Sequence, residues 1–258
     1  MSNGTEPTAA VQKPNPWGWM FGVIVDPANT FTQIVSHTAD PHPTDPAKTK
    51  DTTKWWLPLI VVALVAMVIA IWMVPNIIIP MQREVISEMV FEQGGTQADV
   101  DRAMSMASGF AMPSAIIGVF IQTFLMLFIV AGVLHLLVKM FGGKGTFRDG
   151  RAVVAYSMIV SAVGSLVKFP IMISKKTMMP EVGPTLFFPS LEPSDRLFKL
   201  LYMGFDIFTI WWLIVLIVGL AAGYRVSRGK SAAVVIILWV LMTVIMSFTP
   251  GGPFGMQG

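Results

Sequence analysis

Lys168 and Asp206 are two charged side chains set within otherwise apolar runs of this 258-residue chain. A charge at such a depth is costly, and it is normally paired or functional. If the run 152–174 rises to one side of a membrane and 205–224 starts from that side, the two charges lie at similar depth. An ion pair near that face is therefore expected, with a structural role favoured over a proton or ion path. His135, close to the end of the run 110–140, would be the third polar group of such a path; taken alone, it fits hydrogen-bonded packing better. Between 81 and 109, Glu84, Glu88, Glu92, Asp99 and Asp101 outnumber Arg83 and Arg102. Paired carboxylates can do acid–base work, but on a segment of helical pattern they fit a solvated face better.

Other candidate chemistry is thin. GGKGT at 142–146 resembles a phosphate loop, yet the GxxxxGK[ST] spacing is missing and an apolar helix precedes it where a strand is required. No nucleotide and no nucleic acid is expected as a partner. His37 and His42, five apart in a segment rich in Pro, Thr and Asp, are too little to assign a metal. Cysteine is absent, which excludes disulfides and thiolate metal sites. No serine–histidine–acid set or dinucleotide fingerprint is present. The reading is of a protein with no catalytic residues and no cofactor.

The elements that would position these residues are membrane spans. Of the residues, 54% are hydrophobic and 13% charged, against about 25% charged in a soluble domain. Five apolar segments follow, at 55–79, 110–140, 152–174, 205–224 and 231–249, each near or above the roughly 20 residues that cross a bilayer. Residues 1–16, polar and rich in Pro and Thr, are expected to be disordered, and 250–258 to be a flexible tail. Residues 17–54 form a cytoplasmic interfacial segment and linker. There Asp26-Pro27 has the form of an N-cap with Pro at the first helical position. Trp17, Trp19, Phe21, Trp55 and Trp56 are expected as anchors at the membrane–water boundary. The segment 81–109 is expected as a helical outward loop, with Gly94-Gly95 as its break and a capping-box-like start at Thr96. Small residues at Ser157, Ser161, Gly164 and Ser165, and at Gly219, Ala222 and Gly223, permit close helix approach. The fold class is thus an all-α membrane protein: a compact five-helix bundle with an N-terminal interfacial amphipathic helix.

Basic residues set the orientation. Lys139, Lys144, Arg148 and Arg151 sit with one acid, Asp149, between the second and third spans, and Arg225, Arg228 and Lys230 sit with none between the fourth and fifth. With five spans these segments share one side, the cytoplasmic one by the positive-inside rule. The N-terminus is then cytoplasmic and the C-terminus outside.

Four stretches carry a resemblance: DPANTF at 26–31, WWLP at 55–58, FGGKGTFRDGRAVVAYS at 141–157, and IWWLIVLIVGLAAGYRVSRGKSAAVVII at 210–237. Over about 17–249 the chain resembles the Yip-domain family, multi-pass membrane proteins named for Rab-interacting eukaryotic members, and looks closer to the prokaryotic ones. The resemblance implies five spans, a cytoplasmic N-terminus and no enzymatic activity. For a prokaryotic member it implies a bacterial inner-membrane scaffold or accessory subunit, assembled with other membrane-protein subunits such as an ABC exporter with its periplasmic adaptor. The alternative is a small transporter or channel using a Lys168/Asp206 polar path. Lipid handling through Trp17, Trp19 and the in-plane helix is a third reading.

Overall fold

The computed structural model describes residues 13–42, 45–192 and 195–248. The disorder expected at 1–16, apart from residues 13–16, and the tail at 250–258 lie outside them. Two short helices open the chain. Helix α1 (Pro16–Val25) starts at Asn15, whose side chain accepts from Gly18 N–H at 3.0 Å. Helix α2 (Pro27–Ser36) starts at Asp26, which accepts from Asn29 N–H at 3.3 Å, with Pro27 in the first turn. Trp17, Phe21 and Val25 recur every fourth residue and form an exposed apolar stripe on α1. The opposite face of α1 and one face of α2 are buried: Val23, Phe31 and Ile34 are fully enclosed. This helix pair is packed into the bundle rather than merely laid on it.

Residues 36–54, expected as a plain linker, instead contain an antiparallel hairpin of β1 (Asp40–His42) and β2 (Asp45–Lys50). Thr49 and Lys50 give little hydrophobic pattern to announce a strand. Contacts beyond the hairpin hold the segment, including Thr52 N–H to the His37 carbonyl at 3.0 Å.

Five helices are long and apolar enough to cross a membrane. The first begins as α3 (Trp56–Met73) and passes through a π-turn (Val74–Ile78) into α4 (Ile79–Glu92). Pro75 cannot donate to the helical ladder and would crowd a standard turn, and the wider π-turn relieves this. Asn76 adds a side-chain bond from Nδ2 to the Trp72 carbonyl, 2.7 Å. Helix α4 ends at Gly94, φ +77°, with Gly95 N–H bonded to the Val90 carbonyl and Gly94 N–H to that of Phe91. These are the two bonds of a Schellman cap.

Helix α5 (Gln97–Met140) then runs unbroken for 44 residues. Asp99 reaches back to Thr96 N–H at 2.9 Å to start it. At 1.5 Å per residue its length is about 66 Å, more than twice a hydrocarbon core of about 30 Å. A separate loop and a span beginning at 110 therefore merge into one helix. Gly109 and Pro113 weaken the ladder there without ending it. A second Schellman cap, with the same two bonds, closes α5 at Gly142 (φ +83°) and Gly143.

Helix α6 (Phe147–Lys175) forms the centre. Its residues 152–157 are buried all round, as a helix enclosed by others must be. Helix α3, α5 and α8 (Ile207–Tyr224) surround it, and α1 and α2 cover its start. At Gly219 of α8, an added Cβ would lie 2.6 Å from Val153 and 3.0 Å from Phe31; here the missing side chain sets the helix spacing. Helix α7 (Arg196–Gly204) lies in the loop before α8, and α9 (Arg228–Phe248) closes the bundle.

Candidate functional site

The two ends of the bundle carry different polar clusters. At the basic end, Thr146 begins α6, and Asp149 accepts from Thr146 N–H at 2.6 Å and from its hydroxyl at 2.9 Å. The other oxygen of Asp149 accepts from the Thr38 hydroxyl, just after α2. One buried carboxylate thus caps α6 and ties the N-terminal helices to it. Lys144 N–H donates to the Tyr224 carbonyl at 2.9 Å, at the last residue of α8. The Tyr224 hydroxyl meets His135 Nδ1 at 2.8 Å and lies where a Cβ on Gly150 would fall. Most of the motif at 141–157 is therefore joinery between α2, α5, α6 and α8.

The linker is strapped to the same helix. Arg151 pairs with Asp51 at 2.7 Å, and its guanidinium sits 4.3 Å over the Trp55 ring. The Tyr156 hydroxyl donates to the Thr53 carbonyl at 2.7 Å. His37 contacts Asp40 at 2.8 Å, and the Thr52 hydroxyl donates to the same carboxylate. Lys139, Lys144, Arg148, Arg225, Arg228 and Lys230 are exposed around this end; Lys230 Nζ donates to the Phe141 carbonyl at 3.2 Å and closes the ring between the two basic segments. Arg151 departs from the other six, half-buried in its ion pair.

The aromatic anchors divide. Trp17, Phe21 and Trp56 are exposed. Trp19 is turned inward instead: its Nε1–H donates to Gln33 at 3.3 Å and its ring packs on His37 and Tyr156. The helical repeat places residue 19 on the face opposite 17 and 21, which a count of aromatics does not show. Trp55 packs edge-on to Phe128 beneath Arg151, part-buried.

At the opposite end, Lys168 of α6 is ion-paired with Asp206. Asp206 is also the N-cap of α8, accepting from Phe208 N–H at 2.7 Å and Thr209 N–H at 3.3 Å. A carboxylate at a helix N-terminus is favoured by the exposed amides and the helix dipole. Tyr202 of α7 lies near this charge. Burial, then the charges of Asp206 and Glu181, push its hydroxyl pKa up to about 12.

His135 and the Lys168–Asp206 pair sit at opposite ends of α8, about 27 Å apart along its axis, with Val215, Leu216 and Leu220 buried between them. They do not converge. Among the described residues no three histidines or acids come together to hold a metal ion. What sequence reasoning missed is the network of Asp149, Tyr156 and Tyr224. The available signal was a tyrosine inside an apolar helix, whose hydroxyl needs a buried partner.

Next to Lys168, a cavity of about 170 Å³ is lined by residues of α6 and α8, including Ser161, Ser165 and Trp212. It adjoins a larger apolar one of about 400 Å³ reaching α5 and α3, which Ser161 and Trp212 also line.

Comparison with curated proteins and with solved structures gives no significant match. The family model of the Yip1 domain matches residues 21–249, from α1 to the end of α9. With the five apolar helices and the motif joinery, this makes the chain a multi-pass integral membrane protein of the Yip1-domain family.

Proposed function

We propose that the protein is a non-enzymatic scaffold or accessory subunit of a larger membrane complex in a bacterial inner membrane. The basic end faces the cytoplasm with the N-terminus, and the C-terminus lies outside, because basic loops are retained on the cytoplasmic side. The observation that carries the reading is the arm formed by α4 and the first part of α5. It extends about 20 Å past residue 79, where the first apolar run ends, and is closed at its tip by Gly94-Gly95. Arg83 and Asp101 join its two helices at 2.8 Å. Yet Val85, Met89, Phe91 and Met106 on the arm remain 47–60% exposed. Apolar side chains kept exposed on a projecting helical pair are what a docking surface requires. The partner most in keeping with an outward arm on a prokaryotic family member is an ABC exporter with a periplasmic adaptor.

The test is mild-detergent purification of tagged protein from its native membrane, with mass spectrometry of co-eluting subunits. A defined set at fixed stoichiometry is expected. It should be lost with Phe91→Asp and Met106→Asp while the protein itself elutes unchanged. A wild-type protein that elutes alone would overturn the proposal.

A further inference from the structure

We propose that the cleft between α5, α6 and α8 binds one phospholipid, its phosphate at Lys168 and an acyl chain running along α6 toward Val154. One face of α6 presents Lys168, Ser165, Ser161, Met158 and Val154 at alternating steps of three and four residues, the repeat of a single helical stripe. Read from the outer end, the stripe passes from ammonium to hydroxyls to apolar side chains. That is the order of a phospholipid from headgroup through ester region to chain.

The size agrees. Fourteen residues separate Lys168 from Val154, about 21 Å of helix. One leaflet with its headgroup layer is about 20 Å thick. The two cavities along this stripe, of about 170 and 400 Å³, meet at Ser161 and Trp212. The smaller lies at the lysine and has a wall that is polar and apolar in about equal measure. The larger is mostly apolar, as ligand cavities are, with few polar groups.

One polar group on the larger cavity lacks a partner. Gln122, in the middle of α5, lines the cavity, and among the described residues its amide has no partner. Unsatisfied donors at membrane depth are expensive, and the ester carbonyls of a glycerolipid are acceptors of the right kind at that level. Lys168 has three donors. Asp206 is occupied by it and by the α8 cap, which leaves ammonium hydrogens for a phosphate oxygen.

The experiment is native mass spectrometry of the full chain in detergent, titrated with palmitoyl-oleoyl phosphatidylglycerol and, separately, with the palmitoyl-oleoyl diacylglycerol that lacks the phosphate. A single phospholipid adduct is expected, with the diacylglycerol binding about tenfold more weakly, the worth of one charge-assisted hydrogen bond. Ser161→Leu, which plugs the junction without touching a charge, should weaken the adduct about as much. Lys168→Gln should abolish the preference between the two lipids, while Lys175→Gln at the same end keeps it. If Lys168→Gln does not fold, the wild-type lipid comparison and Ser161→Leu still decide. Equal affinity for both lipids, or an adduct untouched by Ser161→Leu, overturns the proposal.

Discussion

The hydroxyl of Tyr224 lies 2.8 Å from His135 Nδ1 and fills the space in front of Gly150. One oxygen therefore joins the end of α8 to α5 and fixes how closely α6 can approach. Gly150→Ala should destabilise the protein by about 1–3 kcal/mol through overpacking. Tyr224→Phe should cost about 1 kcal/mol for the lost hydrogen bond. The double variant should be more stable than the sum of the two predicts, because removing the hydroxyl vacates the site of the new methyl. Thermal unfolding of the three variants in detergent checks this; strict additivity contradicts the contact.

Phe31 is enclosed by the bundle and touches the space at Gly219. A helix merely resting in the interface would lose little on truncation of one side chain. Packed as it is, Phe31→Ala should cost about 3–5 kcal/mol and expose the N-terminal helices to added protease. Trp17→Ala, on the exposed stripe, should leave unfolding almost unchanged. Similar unfolding temperatures for the two variants would contradict the packing of α2.

How much of this was open to a reading of the sequence depends on which physical signal each feature leaves. Apolar runs of about 20 residues mark spans plainly, and the Gly pairs at 94–95 and 142–143 mark helix ends. Helix continuity across Pro75 and Gly109 is harder to read. It rests on a π-turn and on tertiary support, and Pro and Gly in isolation are helix-breaking signals. The inward turn of Trp19 follows from which face α1 buries, and so from a neighbour far along the chain, Tyr156. For Lys168 and Asp206 the sequence offers two charges and span parity. That Asp206 also caps α8 depends on where that helix starts, one residue on.

Asp206 has two roles that substitution can separate. Asp206→Asn keeps a good N-cap and gives up the charge pairing with Lys168, whereas Asp206→Ala loses both. The Ala variant should therefore be the less stable by about 1 kcal/mol. Adding Lys168→Met to Asp206→Asn should recover part of the loss, since it removes an ammonium left without its counter-charge. Equal stability of the Asn and Ala variants would mean that the cap contributes nothing.

Tyr202 gives the loop before α8 a pH signature. Its folded-state pKa, pushed up to about 12 by burial and then by the nearby charges of Asp206 and Glu181, exceeds the ordinary value of about 10. The unfolded chain thus releases this proton first, and unfolding is favoured as pH rises. The stabilising contribution is intact below about pH 10 and is lost on the way to the folded value. Hydrogen exchange in α7 should accelerate over that window in the wild type, and Tyr202→Phe should remove the tyrosine-dependent part of the change.

Orientation is open to a clean chemical test because the chain contains no cysteine. Gln93→Cys, at the tip of the arm, and Lys144→Cys, between α5 and α6, place single exposed thiols at opposite ends of the bundle. If basic loops are cytoplasmic, a membrane-impermeant maleimide should label Gln93→Cys in intact spheroplasts. Lys144→Cys should label only after the membrane is permeabilised. The reverse pattern would turn the molecule over. The arm would then meet a cytoplasmic partner instead of one outside, and Lys168 would lie in the inner leaflet. Labelling at both positions without permeabilisation would be inconsistent with a bundle whose two ends lie on opposite sides of one bilayer.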